Sequence, residues 1–276
     1  MIVHLIDGTY ELFRHFYGLR SFNKGKDKPF GATAGVLNGV LQLIEEGATH
    51  LGVATDHVIE SFRNELWADY KTGEGIDRAL WRQFHPTEEA LVSMGIVVWP
   101  MIELEADDGL ASAAHLAAKD PRVFKVCIWT PDKDLGQCVQ GDRVVQVDGR
   151  AGAIRDADDI KKKFGVDPKL IPDFLALVGD SADGYPGIPG IGKISAARLL
   201  NQYGPIERFP KNVLGELRQQ ALLFKRLATL RTDAILFKDV EELRWLGPAS
   251  TFAAFTKKIG DSRLLERANA LAAKLK

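Results

Sequence analysis

Short apolar runs alternate along the chain with longer stretches in which apolar residues recur every three or four positions. The short runs are "MIVHLID", ending at Asp7, "THLGVATD", ending at Asp56, "GIVVWP", "FKVCIWTPDKD", with Asp132 and Asp134 just beyond its apolar part, and "DRVVQVD". None alternates strictly between apolar and polar, as expected of strands covered on both faces. The last is expected to be an edge strand. Between them, "TAGVLNGVLQLIEEG", "PTEEALVSMG" and "DDGLASAAHLAAK" have helical spacing, with early acids or a closing glycine as end signals. Strand–helix alternation of this kind predicts an α/β fold, a mostly parallel central sheet with helices on both faces.

The texture changes near residue 167. "DPKLIPDFLALVGD" reads as a helix, "GDSADGYPGIPGIG" as a glycine- and proline-rich loop, and "KISAARLLNQYG" as a second helix. Two helices around such a loop resemble a helix-hairpin-helix module, in which loop N–H groups and a helix N-terminus cradle a phosphate. From Gly192 to Arg231 there are eight Lys or Arg against two Glu, a local charge of +6 and a candidate backbone-binding patch. We therefore expect an α/β core over 1–166 and a helical, DNA-binding region over 167–276, with two short helices after Leu246. No internal repeat or low-complexity tract is present.

Composition narrows the class only slightly. The chain has 276 residues and a formal net charge of -1, which neither advertises nor excludes a nucleic-acid partner. Two cysteines make no disulfide framework, and Cys127 reads as a small buried hydrophobe. No run of about 20 apolar residues is present to span a bilayer, and the expectation is a soluble, reduced, cytoplasmic protein.

The candidate chemistry lies in the acids. "ELEADDGLASAAHLAAK" places four carboxylates, Glu103, Glu105, Asp107 and Asp108, within six residues at a helix start. A helix dipole favours one or two acids there, not this many. Asp7, Asp56, Asp132 and Asp134 follow separate strand ends, where an open α/β sheet forms its ligand crevice. Divalent cations held by carboxylates offset such repulsion, and without a His/Cys set at zinc spacing Mg²⁺ or Mn²⁺ is favoured. The six histidines are scattered singly, and "GIGKIS" lacks the spacing of a nucleotide loop. Two carboxylate-held metals would activate water and neutralise charge on a phosphate in an in-line displacement.

Five ordered segments over residues 1–235 then carry a resemblance: "LIDG", "VATDHVIESFRNELWADYK", "ELEADD", "TPDKDLGQ" and "GDSADGYPGIPGIG". The chain resembles the 5′-nuclease family, which includes the 5′→3′ exonuclease domain of bacterial DNA polymerase I, phage 5′-exonucleases and flap endonucleases. The resemblance implies a free-standing, monomeric, structure-specific DNA nuclease that leaves 5′-phosphate and 3′-hydroxyl ends. It also implies a helical arch around 68–90, and a binding-only relative is the alternative.

By the same resemblance, Asp7, Asp56, Glu105 and Asp107 would surround one metal, with Asp108 close by, and Asp132, Asp134, Asp180 and Asp183 a second. Lys71, Asp7, Asp107 and Asp132 carry the catalytic assignment. Lys71 matches the lysine at the base of the arch that positions the scissile phosphate. Arg63 matches the Phe-Arg position, with a structural or phosphate-facing role. Gly187, Gly190, Gly192, Lys193 and Ser195 match the DNA-holding hairpin, where Ser195 would also serve a K⁺ ion. The sequence departs from the family pattern at Glu74, where an arginine is usual and Arg78 is the nearest substitute. It departs again at Gly184, where asparagine is usual, and at Lys193-Ile194.

Overall fold

The computed structural model of the chain describes residues 1–23 and 28–275. Six strands, β1 (Ile2–Asp7), β2 (His50–Asp56), β3 (Val97–Met101), β4 (Lys125–Trp129), β5 (Val144–Asp148) and β6 (Ala153–Arg155), form one sheet in the order β3-β2-β1-β4-β5-β6. The first five pair in parallel and β6 runs antiparallel to β5. The expected edge strand "VVQVD" is thus internal, paired with β4 on one side and β6 on the other. The true edge, Ala-Ile-Arg, is too short to show a period.

Helices α1 (Gly8–Asn23) and α2 (Gly31–Glu45) follow β1, and α3 (Phe62–Leu66), α4 (Arg78–Trp81) and α5 (Phe84–Ser93) follow β2. Helix α6 (Ala106–Lys119) links β3 to β4. The α1 and α2 face buries Ile6, Leu12, Phe16, Leu37, Leu41 and Val53 in one core. The α6 face buries Val3, Leu5, Leu110, Ala113, Val126 and Ile128 in another. Neighbouring residues of β1 thus face opposite cores, Leu5 one and Ile6 the other, which is why its run does not alternate strictly between apolar and polar. Helix α1 is unforeseen in the sequence reading. Its glycines and aromatics are weak helix formers, and burial of Leu12 and Phe16 outweighs that preference. The arch region over 68–90 carries α4 and the first part of α5, anchored by Leu80 and Phe84 in the first core.

Helices α7 (Ala157–Phe164), α8 (Ile171–Val178), α9 (Lys193–Tyr203), α10 (Lys211–Leu214) and α11 (Arg218–Ala228) surround a separate core of Ile160, Phe174, Leu177, Tyr185 and Phe224. Leu66, Trp67 and Tyr70 also join it, so the segment after α3 is packed against the helical region. The two tail helices, α12 (Phe252–Ile259) and α13 (Arg263–Ala273), return to the first core through Phe252 and Leu264. Cys127 is buried as expected. Among the described residues, no helix is long and apolar enough to cross a membrane.

Candidate metal centre and nucleic-acid interface

Neighbouring strands deliver the acids to one edge of the sheet. Asp7 ends β1, Asp56 ends β2, and Asp132 lies just past the end of β4. These strands are adjacent, so the three residues line the crevice at the strand carboxyl ends, where the order reverses around β1. The start of α6 is fixed there because Ala106 N donates to Asp56 Oδ1 at 2.8 Å. This brings Glu105, Asp107 and Asp108 to the same edge. Asp7 accepts from Tyr10 N at 2.8 Å and from Thr130 Oγ1 at 3.0 Å, which orients both its oxygens.

From the other side, the loop after α8 supplies Asp180 and Asp183. Among the described residues, Asp134, Asp180 and Asp183 each offer a carboxylate oxygen, and these lie within 4.8 Å of one another. All three are buried, and Asp134 Oδ1 has no hydrogen-bond partner. An orphaned, buried carboxylate oxygen beside two more carboxylates is costly without a cation. An all-oxygen donor set of this kind suits a hard divalent ion. The residues present therefore fit the metal that the acids imply.

Charge repulsion unites the wider set. Burial, then the neighbouring Asp56 and Asp132 charges, outweigh the Tyr10 and Thr130 hydrogen bonds and push Asp7 up to about 7. Asp107 is raised well above the usual carboxylate range by burial, Asp132 and Asp7. Asp134 is raised likewise by burial, Asp132 and Asp183. Burial also raises Asp56, and raises Asp183 to about 6 against the opposing pull of Lys71. Glu105 goes the other way: burial works against its ionised form, but Lys71 and Arg63 overcome it.

A stability consequence follows for Asp7. Its folded pKa of about 7 exceeds its ordinary 3.8, so the folded chain keeps a proton that the unfolded chain has lost. The associated stability is full below about pH 4 and is lost as pH rises toward 7. Asp7→Asn should therefore stabilise the metal-free protein by about 2–4 kcal/mol near pH 8, with the difference vanishing near pH 4. Urea unfolding in EDTA across that range checks the sign, and a gain that grows toward low pH contradicts it.

Arg63 and Asp108 pair with each other beneath the acid wall. Arg63 is 1% exposed and does not face a phosphate. Its guanidinium donates to Asp108 through Nη1 at 2.7 Å and Nη2 at 2.8 Å, to Glu105 Oε1 at 3.0 Å, and to the carbonyls of Leu227 and Thr229. Asp108, fully buried, also accepts from the backbone N–H groups of Glu105 and Arg231. Asp108 thus ties Arg63 to the start of α6.

Lys71 Nζ lies 2.6 Å from Glu105 Oε2 and 3.4 Å from Asp183 Oδ1, bridging the two acid walls. Lys133 Nζ lies 2.5 Å from Asp180 Oδ2. With Arg63, these are the cations that form ion pairs with the acid set among the described residues.

The hairpin glycines divide by role. Gly190 and Gly192 are exposed and open, so a phosphate has access to the backbone there, and Lys193 is exposed at the start of α9. Gly187 is instead buried, and a Cβ on it would fall 2.4 Å from Gly179 N. That glycine serves the loop's own closure. Ser195 Oγ donates to Gly192 O at 2.9 Å, which groups two oxygens at the loop's end. Gly184 has a φ of 83° and lies so close to the preceding segment that a Cβ would meet Asp69 O at 1.9 Å. Its departure from asparagine is thereby explained. Arg78 and Glu74 are both exposed, whereas Glu103 is an exposed bystander to the acid wall.

Several supporting residues carry no role in the sequence reading. Ser61 Oγ donates to Glu105 Oε1 at 2.7 Å, and Thr9 Oγ1 accepts from Asp56 N at 2.8 Å. Gln137, present in "TPDKDLGQ", donates to the carbonyls of Asp134 and Ala228 and accepts from Leu230 N. The motif spacing flagged Gln137, but its role as a clip between the acid turn and the end of α11 depends on tertiary contact.

Two family models match in succession: "5'-3' exonuclease, N-terminal resolvase-like domain" over residues 2–165 and "5'-3' exonuclease, C-terminal SAM fold" over residues 166–251. The chain is 34% identical over 266 residues to a 5′-3′ exonuclease of Buchnera aphidicola, covering 90% of this chain and 87% of that protein. It is also 34% identical over 259 residues to DNA polymerase I of Pseudomonas aeruginosa, covering 87% of this chain and 28% of the polymerase's length. In fold it is similar to T5 5′-exonuclease with bound zinc, with a TM-score of 0.67 at 18% identity and 98% of both chains covered. With both halves matched in order over a carboxylate-lined crevice, the chain belongs to the 5′-3′ exonuclease family.

Proposed function

We propose that this protein is a divalent-metal-dependent, structure-specific 5′-nuclease that hydrolyses DNA phosphodiesters near a 5′ end or flap, leaving 5′-phosphate and 3′-hydroxyl termini. The observation that carries this reading is the pair of carboxylate walls at one sheet edge, spanned by Lys71. Asp7, Asp56, Glu105 and Asp107 would hold one Mg²⁺ or Mn²⁺, and Asp132, Asp134, Asp180 and Asp183 the other. When bound, the two ions supply a water of lowered pKa and positive charge for the phosphate. The raised Asp7 and Asp107 favour a cation over two bare charges. The Lys71 ammonium, half-buried between the walls, presents hydrogen-bond donors to a phosphate oxygen entering there.

The exposed backbone of Gly190 and Gly192, with Lys193, would hold a phosphate of the duplex at a distance from the cut. The Ser195 hydroxyl and Gly192 carbonyl offer two oxygens for a K⁺ ion bridging to that phosphate. Exposed Arg78 would steer the single-stranded 5′ end. A monomeric, cytoplasmic enzyme acting in DNA replication and repair fits this reading.

Cleavage of a labelled 5′-flap duplex with Mg²⁺, and its loss in EDTA, tests the proposal. Tight flap binding without cutting would favour a binding-only relative, and preference for an RNA hairpin would replace the DNA assignment. Lys71→Ala is expected to slow cutting at least about tenfold while changing flap affinity little. Parallel loss of affinity would reduce Lys71 to a binding contact.

A further inference from the structure

Lys71 owes its place to a contact between two loops that are distant in sequence. Trp67, at the end of α3, donates its indole N–H to Gly184 O at 3.0 Å. Lys71 N donates to the neighbouring Asp183 O at 3.1 Å, and Asn64 Nδ2 donates to Lys71 O at 3.0 Å. The close approach of Asp69 O to the Cα of Gly184 completes the seam, which any side chain at 184 would pry open. The indole stands edge-on to Phe224 at 5.2 Å between centroids, and Phe224 in turn stacks on Tyr185 at 5.5 Å. Tyr185 exchanges backbone hydrogen bonds with Asp180 in both directions. One continuous set of contacts therefore joins the Lys71 segment to the loop that carries Asp180 and Asp183.

We propose that Trp67 is a positioning residue for Lys71: its indole N–H, by holding the Gly184 carbonyl, locks the Lys71 ammonium between Glu105 and Asp183 before DNA arrives. A lysine side chain is flexible, and a group fixed beforehand at the reacting phosphate contributes more than one that must be gathered during the reaction. The aromatic ring alone does not suffice. Packing on Phe224 fixes the plane of the indole, but only its N–H reaches the loop carbonyl. This proposal rests on the nuclease reading above.

The test compares the parent, Trp67→Phe, Lys71→Ala and the double variant in single-turnover cutting of a 5′-flap duplex with Mg²⁺. Trp67→Phe keeps a ring against Phe224 and removes the donor. It is expected to slow cutting about tenfold in the parent, about twofold or less when Lys71 is already Ala, and to leave flap affinity within about twofold. Gly184→Ala, which opens the same seam from the other side, should behave alike. Equal slowing in both Lys71 backgrounds, or parent-like cutting by Trp67→Phe, overturns the proposal.

Hydrogen–deuterium exchange of the metal-free proteins gives a readout independent of cutting. Trp67→Phe should speed exchange over 67–72 and 181–185 while leaving the α6 peptide unchanged. Unchanged exchange at both segments also overturns the proposal. If the parent does not cut DNA, the nuclease reading fails, and exchange alone decides whether the latch exists.

Discussion

Asp107→Ala combined with Asp132→Ala is expected to slow flap cutting by at least about a thousandfold in Mg²⁺, a loss of about 4 kcal/mol in transition-state stabilisation. Each of these carboxylates is assigned to a different proposed metal, and Asp132 is the charge that most raises Asp107 after burial. Removing both takes a ligand from each proposed metal. It also removes a like-charge pair, so the metal-free variant should be no less stable than the parent. Unfolding in EDTA is therefore the control that separates lost chemistry from lost fold. Calorimetric titration with Mn²⁺ should show weakened binding in the same variant. Undiminished cutting would remove the metal assignment for both residues.

Arg63→Ala is expected to cost about 3–5 kcal/mol of folding stability, because it strands a buried carboxylate pair. All five guanidinium hydrogen bonds of Arg63 end on protein groups: two on Asp108, one on Glu105, and one each on the carbonyls of Leu227 and Thr229. The side chain thereby pins α3, the start of α6 and the chain beyond α11 at one point. Arg63→Lys should lose most of the same stability, since a single ammonium cannot replace a planar fork. Urea unfolding that shifts the midpoint at constant slope gives the magnitude. An unshifted midpoint with weakened DNA binding would return Arg63 to the phosphate-facing role.

The carboxylate walls were readable because their signals are local. A strand that ends in Asp places that side chain at the sheet edge whatever the rest of the chain does, as at Asp7 and Asp56. The helical period after "ELEADD" likewise fixes Glu105 and Asp108 at one helix start. The β5–β6 hairpin was less legible, since a three-residue strand has no period to read and β5 gains its second partner only from it. Helix α1 was hidden because poor intrinsic formers were overruled by burial against the sheet.

Sequence by itself determined which chemistry this protein carries: a parallel α/β sheet, acids at its strand ends, and a glycine-rich hairpin with a basic continuation. Tertiary structure alone decided how similar groups divide their roles. Arg63 and Lys71 lie in one short segment, yet Arg63 is sealed in by a carbonyl 164 residues away while Lys71 is left partly open between two acid walls. Asp107 and Asp108 are adjacent, yet one faces other acids and the other is filled by Arg63 and Arg231 N. Periodicity and residue type are local properties, whereas solvent access and the choice of counter-charge arise from segments far apart in the chain. That is why the sequence shows the acids together and only the fold separates prospective metal ligands from their struts.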